Sequence, residues 1–310
     1  MNKSIWAIEK ALLLGAFFCA LLLAMGFLVL VSTSWGHQID NDAFLGRGAV
    51  NHRVVKFDSD VLDHVSDAAL LVSAVVVIVF ACVRRCTLVG VVAVVGFGSA
   101  VLGAEVLKRK LPWRVLVPDD RLLSLMFGGA TYPSGHATIG TSLALSLVLV
   151  SPARWRPWIA IAAGGMSSTF ATAVLFAGWH RPSDALGALA WSGFCMTVAA
   201  AAAVRFRGRP RPASSNPGPA VVGSVGLGIL VAAVTWISAA KSASQFPHGD
   251  LPFFALTALI IAGAFSLITW YGWQLRAVDW PDDRAYGLKS KLSSTSRLPP
   301  LSRTTTPGSE

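Results

Sequence analysis

Three short segments hold most of the side chains whose types and spacing suit chemistry. The first is Lys108-Arg109-Lys110-Leu111-Pro112-Trp113-Arg114. Its cations suit phosphate oxygens, and an arginine can grip them with a bidentate fork. Cations at the end of an apolar run also serve as plain interfacial anchors. Arg114, Arg121 and the pair Asp119-Asp120 make the segment denser than anchoring requires. The second segment is Thr131-Tyr132-Pro133-Ser134-Gly135-His136. Pro133 and Gly135 favour a tight turn, and Gly135 lets its amide approach a ligand closely. A helix starting near Ala137 would aim free amides and its dipole at an anion there. Ser134 adds a hydroxyl donor, and His136 stands beside the anion position. The third segment is His180-Arg181-Pro182-Ser183-Asp184. Pro182 suits the first turn of a helix, and a spacing of four can bring His180 and Asp184 together. A carboxylate on one imidazole nitrogen orients the ring and leaves the other nitrogen free as a nucleophile. The same pair can also do no more than cap a helix at an interface.

These segments lie between long apolar runs. The 310 residues are 54% hydrophobic and 14% charged, where soluble domains carry roughly a quarter charged residues. Mean hydropathy is +0.60. Apolar runs fall at 11–31, 66–83, 88–107, 137–151, 158–178, 185–204, 220–240 and 252–274, near the ~20 helical residues that cross a bilayer. The expected fold is therefore all-α, a polytopic membrane protein of about eight transmembrane helices. Six form a bundle and two a C-terminal hairpin. The first run is longer than a signal-peptide core and has no clear cleavage site, so it reads as a retained helix. The run at 137–151 is short, and its start is expected deeper in the preceding loop.

A net charge of +10 invites a nucleic-acid reading, but the cations sit in short loops and a tail, as topology signals do. With the N-terminus inside, sixteen of the 26 Lys and Arg collect on one side. That side reads as cytoplasmic, with both termini on it, and all six histidines fall on the other. The expected segments are 1–65 (a first helix and outer loop), 66–204 (a core), 205–219 (a cytoplasmic linker), 220–274 (the hairpin) and 275–310 (a disordered tail). Val54 to Val65 reads equally as a short interfacial helix or a solvated loop. Cys19, Cys82, Cys86 and Cys195 have neither disulfide nor zinc spacing and read as small apolar fillers. Transport is disfavoured, because apart from Glu105 the spans hold almost no ionisable residue.

Pro133-Ser134-Gly135-His136 is an intact copy of the central motif of the type 2 phosphatidic acid phosphatase (PAP2) superfamily, and His180-x-x-x-Asp184 resembles the end of its third motif. The phrase from Ala177 to Asp184 is similar to bacterial membrane members, and Lys108 to Arg114 is similar to the first motif. The resemblance covers about residues 70–204. It implies a membrane lipid-phosphate phosphatase, facing the extracytoplasmic side of a cell membrane and acting on a polyprenyl or glycerolipid phosphate or diphosphate without metal or cofactor. It implies that His180 attacks phosphorus, that Asp184 orients His180, and that His136 protonates the leaving oxygen and then activates water. Lys108, Arg114, Ser134 and the Gly135 amide would hold the phosphoryl oxygens. The partners implied are the lipid substrate and membrane lipids. Phosphotransfer to an alcohol, or lipid-phosphate binding without catalysis, remain the alternatives on the same scaffold.

Two departures from the family pattern bear on the cradle. Five residues, not six, separate Lys108 from Arg114, and Val115 stands where the family has Pro. Val174 stands six residues before His180 where the family has Arg, with Ala173 in place of Ser. One oxyanion donor can be worth about two to three powers of ten in rate. Arg109, Arg121 and Arg181 are the candidate replacements.

Overall fold

In hydrocarbon a backbone must satisfy its own hydrogen bonds, so an apolar run that crosses it becomes helix. The computed structural model, which describes residues 3–50, 52–63, 67–112, 130–211, 228 and 250–282, is helical almost throughout. Helix α1 spans Lys3–Gly26 and closes in a π turn, Phe27–Val31. Short helices α2 (Ser34–Leu45) and α3 (His52–Asp63) follow, joined through a 3-10 turn at Gly46–Ala49. The longer helices are α4 (Asp67–Val83), α5 (Thr87–Lys110), α6 (Gly135–Val150), α7 (Arg156–Phe176), α8 (Pro182–Arg207) and α9 (Asp250–Leu275). Two-residue strands β1 (Arg209–Pro210) and β2 (Val278–Asp279) pair antiparallel.

Five segments are long and apolar enough to span a membrane: Ser4–Val31, Thr87–Lys110, Arg156–Phe176, Pro182–Arg207 and Leu251–Leu275. Leu70–Val83 and Gly135–Val150 are shorter apolar helices. These seven fall on the expected runs. Apart from Gly228, the eighth run lies outside the described residues, as does the tail after Asp282. The segment expected as an outer loop is largely helical, and Val54–Asp63 lies within α3.

Helix α8 is the axis, buried along most of its length and packed by α1, α5, α6 and α9. Its Ala and Gly residues allow that crowding, because small side chains let membrane helices approach closely. Helix α9, expected in an added hairpin, lies against α7, α8 and α2. Large apolar side chains face outward on α1, α4 and α5, including Phe17, Leu22, Val83 and Leu102. Such a belt suits lipid, since water would not tolerate an apolar surface of this extent.

One end of the bundle is tied by arginines. Arg156, fully buried, donates to the carbonyls of Leu275, Val278 (3.0 Å) and Ser151 (2.8 Å). Trp280 donates to the Leu149 carbonyl at 2.7 Å, and Arg84 to that of Val150 at 2.9 Å. The 21 residues of α7 carry the chain about 31 Å from Arg156 to the opposite end, where the candidate site lies. Arg156→Met should strip three carbonyls of a charged donor and cost about 3 kcal/mol of stability. The expected result is a lower Tm in detergent with an unchanged helical signal at low temperature.

Candidate active site

The turn before α6 is held from several sides. Ser134 is the N-cap of α6, and its hydroxyl oxygen accepts the Ala137 amide at 3.4 Å. Its own amide donates to the Asp184 carbonyl at 3.0 Å. The Tyr132–Pro133 peptide is cis. Tyr132 donates its hydroxyl to the Leu23 carbonyl of α1 at 2.7 Å. Its ring lies against Gly187 so closely that a Cβ there would stand 2.4 Å from it. Over Gly135 sit Lys108 and Glu105, themselves paired at 2.6 Å.

The His180 loop is fixed by the end of α7. The Gly178 amide donates to the Leu175 carbonyl, and the Trp179 and His180 amides to that of Val174, at 3.0, 3.0 and 3.1 Å. This is a Schellman ending, which needs a left-handed residue after the helix, and Gly178 has φ +75°. Asp184 is the third residue of α8 and reaches back to the Arg181 amide at 3.1 Å, as an acid does in a capping box. The same oxygen lies 3.1 Å from His180 Nδ1. The Thr131 hydroxyl also hydrogen-bonds Asp184. The carboxylate is therefore buried but well partnered, and it fixes the ring of His180 so that Nε2 points away from it.

Lys108, Thr131, His136, Gly178, Trp179 and His180 line a cavity of about 430 Å³. The rings of His136 and Trp179 meet edge to face, with centroids 5.2 Å apart. The sequence-derived residues therefore divide. Lys108, His136 and His180 meet at the cavity, and Asp184 stands behind His180. Gly135 lies under Lys108, within reach of the same charge. Ser134 is buried and takes up the cap of α6. Arg114 and Arg121 lie outside the described residues.

Val174 turns inward, into an apolar cluster with Leu175, Ala185 and Ile260. Its contribution to the site is its carbonyl, which anchors His180. Arg181 is buried and lines a separate, smaller cavity, and Arg109 is exposed.

Two residues of α2 and the turn after it also reach the site. Asp40 accepts from the Ser183 amide at 2.9 Å and its hydroxyl at 2.6 Å. Burial, and then the charge of Asp184, push the Asp40 carboxyl up to about 7. Arg47 donates to the Phe44 carbonyl at 2.9 Å and lies over the Phe44 ring. Its Nε would stand 2.7 Å from a Cβ at Gly178. Nothing in the local sequence marks either residue as part of the site, because Ser183 and Gly178, which they meet there, lie more than 130 positions away.

Gly178→Ala should therefore be strained twice, by its positive φ and by Arg47. The expected loss is about 1–3 kcal/mol, read as a drop in Tm. Adding Arg47→Ala should return only the steric part.

No curated protein and no solved structure matches the chain. The PAP2 superfamily model matches residues 85–209, from the turn before α5 to the first residue of β1, and over that segment the chain is similar to the PAP2 superfamily.

Proposed function

We propose that the chain hydrolyses a lipid phosphate through a phosphohistidine on His180. One observation carries the reading: His180, its Nδ1 held by Asp184 at 3.1 Å, shares a cavity with Lys108 and His136. In the first step the Nε2 lone pair attacks phosphorus. The bond from phosphorus to the lipid oxygen breaks, and His136 in its protonated form gives that oxygen a proton. In the second step the now neutral His136 takes a proton from water. The resulting hydroxide attacks phosphorus, the P–N bond breaks, and inorganic phosphate leaves. Asp184 stabilises the positive charge that His180 carries in the intermediate. Lys108 and the Gly135 amide hold the phosphoryl oxygens, with Arg114 from the segment between α5 and α6. Phosphoryl transfer asks mostly for position and charge, which such a cradle provides.

The place of these residues along the helices supports the substrate class. Lys108 is two residues before the end of α5, His136 is the second residue of α6, and His180 lies two residues before the start of α8. Helix ends of this kind meet the headgroup layer, which suits a polyprenyl or glycerolipid phosphate or diphosphate with its chain in the bilayer. The site is proposed to face the extracytoplasmic side of the cell membrane, with both termini cytoplasmic.

The test is phosphate release by the purified full chain from polyprenyl monophosphate, polyprenyl diphosphate and phosphatidate. His180→Ala should lower kcat by about 10³-fold or more, and Asp184→Asn by about 10²-fold or more. His136→Ala should slow turnover and let the acid-labile phosphoenzyme accumulate. Phosphate appearing on an added alcohol instead of in solution would make the chain a phosphotransferase. No release from any of the three, with folded protein, would leave a lipid-phosphate-binding protein.

A further inference from the structure

We infer that Asp40, a residue outside the matched family segment, is a positioning residue of this site: it fixes the start of α8, and through it the carboxylate of Asp184 that orients His180. The inference rests on the reading of His180 as nucleophile.

The geometry begins with an unusual cap. The first amides of a helix need acceptors from outside it. The N-cap of α8 is Arg181, and an arginine side chain has no acceptor. Pro182 has no amide to satisfy. The Ser183 amide is therefore the one that needs a partner, and the acceptor comes from α2. Both carboxylate oxygens of Asp40 are used, one for the Ser183 amide and one for its hydroxyl. Asp40 and Ser183 are buried, at 0% and 1% exposure. The pair thus clamps the residue immediately before Asp184, whose carboxylate sets the His180 ring.

The charges around Asp40 come from three places. Asp184 repels it and Arg181 attracts it, both from the start of α8. Tyr132, from the loop before α6, and His37, from its own helix, line the same small cavity. That cavity measures about 10 Å³, room for a single water.

Asp40→Asn keeps an acceptor for the Ser183 amide, and Asp40→Ala removes it. On the full chain in detergent, Asp40→Ala should lower kcat about tenfold or more with little change in KM, and Asp40→Asn should recover most of that loss. The His180 ring signals, followed by NMR at one pH without substrate and assigned with His180→Gln, should move in Asp40→Ala and stay near the wild-type positions in Asp40→Asn. Wild-type kcat and unmoved ring signals in folded Asp40→Ala, or a loss in Asp40→Asn as large as in Asp40→Ala, would overturn the inference. If the wild-type chain releases no phosphate, the hydrolase reading fails on its own, and the ring signals still decide the role of Asp40.

Discussion

Every part of the site leans on the placement of one buried carboxylate. Asp184 accepts the Arg181 amide and holds His180 Nδ1, while its backbone carbonyl accepts the Ser134 amide. One residue thereby joins two loops that are 46 positions apart between His180 and Ser134. A charge taken out of water is tolerated only when its hydrogen bonds are supplied by others, so the loops are ordered around Asp184 as much as Asp184 is ordered by them. Its place in the first turn of α8 adds the favourable end of the helix dipole.

The frame around that carboxylate is wider than the family segment. The turn carrying Ser134 to His136 is fastened to α1 through Tyr132 and Leu23. The start of α8 is fastened to α2 through Ser183 and Asp40. Among the described residues, helix α1 packs along α8 more extensively than any other pair of elements. Residues 85–209 therefore carry the chemistry-bearing groups, and the chain before them holds two of those groups' supports.

What was legible in the sequence follows from what is local. Spans are written in composition, so seven helices appear where the apolar runs lie. Ser134 to His136 and His180 to Asp184 are contiguous, and their turn and cap chemistry can be read from neighbours. Residues 32–65 were harder, because short helices that pack on a bundle depend on the bundle rather than on their own periodicity. Asp40 and Arg47 were out of reach for the same reason. Val174 shows a subtler limit. Its side chain suggested a gap in the cradle, but the position faces the core, and only its carbonyl takes part in holding His180.

The pairing of Lys108 with Glu105 has a consequence of its own. Glu105 is about half exposed, and the two are one turn apart on α5, a kind of contact worth well under 1 kcal/mol in many proteins. The Lys108 ammonium is thus already paired with a carboxylate before any anion arrives. An anion bound at Lys108 would compete with a carboxylate for the same ammonium group, and on leaving would be replaced by it. Such an internal competitor would make Lys108 a poorer trap for stray free anions and would ease the exit of a spent one.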